Sequence, residues 1–99
     1  MIKAKKKFGQ NFLTDKSIIQ EIVNHIQPKE QDKILEIGPG MGAITFPLLN
    51  KLNHINVVEI DSDMINFLKK NIPCEKINII DQDILLMADK ELAEFDRII

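Results

Sequence analysis

The sequence predicts an α/β domain, a parallel sheet with helices on both faces, and three observations predict it. Short runs of β-branched apolar residues alternate with stretches of helical periodicity. A glycine-rich segment, Gly38-Pro39-Gly40-Met41-Gly42, directly follows the first of these runs. Acidic residues recur at the end of each later run. Strands separated by helices must lie parallel, joined by right-handed crossovers. Ligands of such sheets bind beyond the carboxyl ends of the strands.

The elements follow in order. Thr14 and Asp15 can cap a first helix, whose apolar residues Ile18, Ile19, Ile22, Val23 and Ile26 recur at helical spacing until Pro28 stops it. Lys33 to Ile37 reads as a short buried strand. After the glycine loop, Ile44, Leu48, Leu49 and Leu52 mark a second helix. Pro47 is tolerated there, because N–H groups of a first helical turn have no partner within the helix. Residues 55–60, "INVVEI", are a second strand, and "DSDMINFLKKN" caps and builds a third helix with Met64, Ile65 and Leu68 inward, ending before Pro73. Residues 76–80 give a third strand, followed by the turn "DQD". Residues 84–94 are weakly helical, and "FDRII" begins a fourth strand. The whole is Rossmann-like.

Composition narrows the class. With 44% hydrophobic and 28% charged residues in 99, the chain has the balance of a water-soluble domain. It has no run of ~20 apolar residues to cross a bilayer and no apolar segment behind its first lysines to serve as a secretory signal. A cytoplasmic location is expected. The one cysteine, Cys74, excludes an internal disulfide and is expected to be a small half-buried hydrophobe. No metal site is expected. The net charge of −2 hides a basic arm, Lys3, Lys5, Lys6 and Lys7, ahead of an acidic body. Such an arm suits a polyanion.

The polar groups at the strand ends point to a nucleoside cofactor. Glycines let backbone approach a ligand with no Cβ in the way, and a loop feeding a helix N-terminus aims N–H groups at it. The nicotinamide-dinucleotide fingerprint is G-x-G-x-x-G. Here Gly38, Gly40 and Gly42 are spaced too closely for it. Glu36, two residues before Gly38, would also repel a pyrophosphate. S-adenosylmethionine, with a sulfonium, an α-amino group and no phosphate, suits that carboxylate. Glu59, 21 positions after Gly38, can accept hydrogen bonds from both ribose hydroxyls. Asp83, after the third strand, can accept one from an adenine amino group. Each signal alone has a bland reading as a tight turn or a helix cap, but together they mark successive strand ends.

At this point "KKFGQNFLTD", "ILEIGPGMGAIT", "VVEID" and "QDIL" together resemble the N-terminal part of the ribosomal RNA adenine dimethyltransferases. The macrolide-resistance rRNA methyltransferases are close relatives. The stretch Gly9-Gln10-Asn11-Phe12-Leu13 is the specific element, and Pro39 favours the housekeeping small-subunit enzymes over the resistance enzymes. The resemblance implies a class I methyltransferase sheet. It implies that Asn11 and the Leu13 backbone close over S-adenosylmethionine, that Gly38 and its loop neighbour Gly40 lie against the methionine part, that Glu59 holds the ribose and that Asp83 holds the adenine. Residues 1–13 would then be a basic arm and cofactor-closing segment, and 14–99 an incomplete cofactor-binding domain. The lysine arm would contact small-subunit rRNA in a 30S-type particle.

The chemistry implied is transfer of methyl groups to N6 of two adjacent adenines. In the family an Asn-Leu-Pro-Tyr motif after strand four aligns the weakly nucleophilic amine by hydrogen bonding and stacking. "FDRII" resembles the segment just before that motif, so no catalytic residue is expected within residues 1–99, and the C-terminal RNA-binding domain is expected outside them too. Strand four of the family lies beside strand one, so this chain is expected to leave a central strand unpaired and to self-associate. His25 and His54 match nothing in the family pattern and read as surface or helix-end residues. Two other readings are a nicotinamide-binding domain and a non-catalytic RNA-binding or ribosome-assembly module with the same fold.

Overall fold

The computed structural model describes residues 15–99; Lys3, Lys5, Lys6, Lys7, Asn11, Leu13 and Thr14 lie outside the described residues. Its elements, in chain order, are α1 (Lys16–Ile26), β1 (Ile34–Ile37), α2 (Thr45–Leu49), β2 (Ile55–Glu59), α3 (Ser62–Asn71), β3 (Ile77–Asp81), α4 (Asp89–Leu92) and β4 (Arg97–Ile98). Single 3-10 turns at Cys74–Lys76 and Ile84–Leu86 precede β3 and α4. All strand pairs are parallel and the order is β3-β2-β1-β4. The alternation of strand and helix read from the sequence is therefore the observed architecture.

Local chemistry sets the boundaries. The Asp15 carboxylate accepts from the N–H groups of Ser17 and Ile18 and starts α1. Hydrogen bonding from the Ser17 hydroxyl and the Ile18 N–H holds the Asp15 carboxyl below its usual range. The helix ends with Gln27 in the left-handed region, at φ 48°, ahead of Pro28. Asp61 caps α3 in the same way as Asp15, through Asp63 and Met64. The second helix is shorter than its apolar spacing suggests. After Pro47, Asn50 and Lys51 bond three residues back, to Pro47 and Leu48, and the helix tightens into a turn. Leu52 stays buried nonetheless.

Each face of the sheet carries its own core. Val23, Ile34, Leu48, Leu52, Ile55, Val57 and Leu68 pack beneath α1, α2 and α3. On the opposite face, Leu35, Val58 and Met87 pack with Ile80, Ile84, Leu92 and Phe95, all supplied by the sheet and the segment 84–95. That second face also carries a polar pair: Asn78 donates to Asn56 Oδ1 at 3.2 Å, and Asn56 donates to the Ile34 carbonyl at 3.2 Å.

Two expectations need correction. Strand β1 is not left unpaired: the N–H of Ile37 donates to Ile99, and those of Ile99 and Asp96 donate to Leu35 and Lys33. The free edge on that side is β4 itself. Arg97 anchors it by donating to the Gln27 carbonyl at 3.2 Å and pairing with Asp32 at 3.5 Å. Cys74 is exposed rather than half-buried, because its 3-10 turn carries it off the end of α3 into solvent. His25 and His54 are exposed, as read.

Candidate functional site

Because the strands are parallel, their carboxyl ends share one edge, where Glu59 ends β2, Gly38 follows β1 and Asp83 lies two residues past β3. Glu59 is the register partner of Asp81, and Asp83 comes two residues further on. The three groups expected at the carboxyl edge of the sheet lie at that edge.

The glycine loop differs from a phosphate cradle. All three glycines have positive φ: 61° at Gly38, 56° at Gly40 and 85° at Gly42. Their N–H groups, however, are not free for a ligand. Gly38 donates to the Val58 carbonyl and Gly42 to the Pro39 carbonyl, both at 2.9 Å, and Gly40 donates to Glu59 Oε1 at 3.1 Å. The expectation of ligand-directed glycine N–H groups is thus corrected: two of them tie the loop to β2 and the third closes its own turn. The glycines serve by what they leave open. Nothing lies within 4 Å of a Cβ built on Gly38 or Gly40. A Cβ on Gly42 would come within 2.6 Å of the Phe46 ring, so there the missing side chain lets α2 close on the loop.

Glu59 is 8% exposed, and its carboxylate accepts from three N–H groups: Gly40 on Oε1, Ile60 and Asp61 on Oε2. It therefore holds the loop to the end of β2, and part of Oε1 remains to accept from a ligand hydroxyl. Asp83 caps the following 3-10 turn, accepting from the Leu85 N–H through Oδ1 at 2.9 Å. Its Oδ2 makes no described hydrogen bond within the protein. Glu36 is 5% exposed and accepts a 2.5 Å hydrogen bond from the Thr45 hydroxyl. Burial pushes its carboxyl up to about 7; the Thr45 hydrogen bond opposes that rise and the charge of Glu59 adds to it.

Thr45 was not legible as a site residue, since a threonine opening a helix reads as a cap. A set of exposed apolar side chains was also missed. Met41 follows Gly40, Ile60 (66% exposed) follows Glu59, and Leu85 and Leu86 follow Asp83. Four exposed apolar residues shortly after the strand-end groups are a signal that could have been found. They leave exposed apolar surface after the strand ends. No cluster of potential metal ligands occurs among the described residues. No helix among them is long and apolar enough to cross a membrane.

Solved structures share this arrangement. The fold matches a dimethyladenosine transferase from Plasmodium falciparum with a TM-score of 0.67 and 28% identity, over 75% of this chain and 28% of that one. It matches the 23S rRNA methyltransferase ErmE with a TM-score of 0.66 and 26% identity, over 77% of this chain and 32% of that one. The fold and its strand-end groups define a class I, Rossmann-like methyltransferase domain of the kind that uses S-adenosylmethionine. The profile of the ribosomal RNA adenine dimethylases matches residues 1–96, and the chain belongs to that family.

Curated relatives agree. The chain is 51% identical over 82 residues to the ribosomal RNA small subunit methyltransferase A of Methylobacillus flagellatus, covering 83% of this chain and 32% of that protein. Against the protein of the same name from Chromobacterium violaceum it is 52% identical over 90 residues, covering 91% and 34%. The chain thus spans about a third of the length of these relatives.

Proposed function

We propose that the chain supplies the cofactor-binding part of an enzyme that dimethylates N6 of two adjacent adenines in small-subunit rRNA, with S-adenosylmethionine as cofactor. The observation that carries this reading is the pairing of an open glycine loop with two buried carboxyl groups, Glu36 and Glu59, near no described cation. The two salt bridges among the described residues, Lys33–Glu94 and Arg97–Asp32, involve neither of them. Such a site disfavours a pyrophosphate and favours a ligand that brings its own positive charge.

The residues divide the work. The open backbone at Gly38 and Gly40 receives the methionine part, Glu59 accepts from the ribose, and Asp83 accepts from the adenine amino group. Asn11 and Leu13 close over the cofactor from the N-terminal side, and Lys3, Lys5, Lys6 and Lys7 contact rRNA phosphates, as the family resemblance implies. When bound, S-adenosylmethionine supplies an electrophilic methyl group. None of these residues is assigned to the target adenine, and the setting is cytoplasmic, on a pre-ribosomal small-subunit particle.

Calorimetric titration with S-adenosylhomocysteine and with NADH tests the site. Binding of the first and not of the second is expected. The reverse preference would return the loop to the nicotinamide class.

A further inference from the structure

Glu36 and Thr45 form a buried pair beneath the glycine loop, where burial of a lone carboxylate needs compensation. Glu36 lies in β1 opposite Val57, and Glu59 stands two residues further along β2 on the same side of the sheet. The hydrogen bond from the Thr45 hydroxyl is the one polar contact described for the Glu36 side chain. No surrounding element among the described residues supplies a cation. Helix α2 carries no charged residue, and β2 brings only the further carboxylate of Glu59. In α3, Asp61 caps its own helix, and Asp63, Lys69 and Lys70 are exposed. Arg97 of β4 is engaged by Asp32 and Gln27, and Lys16, Glu21 and His25 of α1 are exposed.

Below about pH 7 a carboxyl group so placed keeps its proton, and an arriving positive charge favours its release. Over Gly38 and Gly40 there is open space for one to arrive. At the low effective dielectric of a covered site, a cation a few ångströms away acts on the carboxyl without touching it.

We propose that Glu36 is a proton-linked charge sensor for the ligand: it is neutral in the empty site and releases its proton to solvent when the cationic end of the cofactor settles on the loop. Thr45 is its positioning residue, holding the carboxylate that results. The inference rests on the cofactor reading above. It adds that one proton leaves as one cofactor enters, so that affinity falls as the solution is acidified below the carboxyl's free-state value. That value, about 7, puts the effect near physiological pH.

The test is calorimetry of the full chain at about pH 6 in buffers of different ionisation enthalpy, with S-adenosylmethionine and with neutral 5′-methylthioadenosine. Heat that depends on the buffer, amounting to release of close to one proton, is expected for S-adenosylmethionine and not for methylthioadenosine. Affinity for S-adenosylmethionine should rise about tenfold per pH unit below neutrality and then level. Glu36→Gln, which preserves shape, should lose both the buffer dependence and the pH slope. Thr45→Val should move the pH at which the slope levels, and Thr45→Ser should restore it. Buffer-independent heat with normal S-adenosylmethionine binding overturns the sensor and leaves the cofactor reading standing. Absence of S-adenosylmethionine binding by the folded protein at any pH overturns both.

Discussion

Glu59 Oε1 accepts the N–H of Gly40 at 3.1 Å, which ties the glycine loop to the neighbouring strand. The residue read from the sequence as a ribose acceptor is thus a brace for the glycine loop. Glu59→Ala should weaken S-adenosylmethionine binding by more than ~1 kcal/mol, through loss of a charged acceptor. It should also cost ~1–3 kcal/mol of stability, because three N–H groups lose their partner. Glu59→Gln, which keeps an acceptor oxygen, should recover much of the stability and little of the affinity. Calorimetry beside urea unfolding separates the two effects; equal loss of both in the glutamine variant would contradict the division.

Stability should vary with pH through Glu36. Its folded-state value, about 7, lies above the ordinary 4.5, so between those values the folded protein holds a proton that the unfolded chain has lost. Stability is then greatest near the lower value, falls as pH rises through the window, and levels above about 7. The drop is on the order of 3 kcal/mol at most. Urea midpoints measured across the window should show the fall in the native sequence and not in Glu36→Gln.

Gly42→Ala should destabilise the loop by roughly 1–3 kcal/mol, from positive φ and from contact with Phe46. Phe46 packs edge-on against Phe67 at 6.5 Å, so its ring is not free to give way without loss. Gly42→Ala combined with Phe46→Ala should recover the steric part, and thermal unfolding reports it. A single variant as stable as the parent would refute the contact.

Self-association of the 99-residue polypeptide is expected through the β4 edge. Ile98 is 46% exposed there, and Ile18, Ile22, Ile26 and Ile99 line an apolar groove between α1 and the end of the sheet. Open edges flanked by apolar surface recruit further chains. Sedimentation at high micromolar concentration should show species larger than a monomer, and a lone monomer would dismiss the idea.

By itself this polypeptide should transfer no methyl groups. The groups proposed above would serve the cofactor or rRNA phosphates and none the target amine, whose positioning supplies much of the barrier reduction in such reactions. Small-subunit particles incubated with it and tritiated S-adenosylmethionine should remain unlabelled. A longer polypeptide that includes an Asn-Leu-Pro-Tyr motif should label them.

Much of the sheet could be read in advance because strands such as "INVVE" combine β-branched residues with clear breaks at Pro73 and at the glycine loop. The placement of Glu59 and Asp83 at one edge was legible because parallel topology sends every strand end there. The brace from Glu59 to Gly40, the Glu36–Thr45 pair and the exposed Ile60 were not. Each depends on side-chain direction after the chain has folded, which spacing does not encode. Cys74 was misread for the same reason: its neighbours in sequence are partly apolar, but its turn faces water.

The pairing of Asn56 with Asn78 and with the Ile34 carbonyl has a consequence for alignment of the strands. Sliding β2 past its neighbours by one residue would reverse its faces, sending the Asn56 amide into the apolar layer under α2 and α3 with nothing to bond. Sliding by two would keep the faces but part the two amides. The polar pair thus penalises wrong alignments that apolar side chains tolerate, and it acts as a key that admits one setting of the sheet.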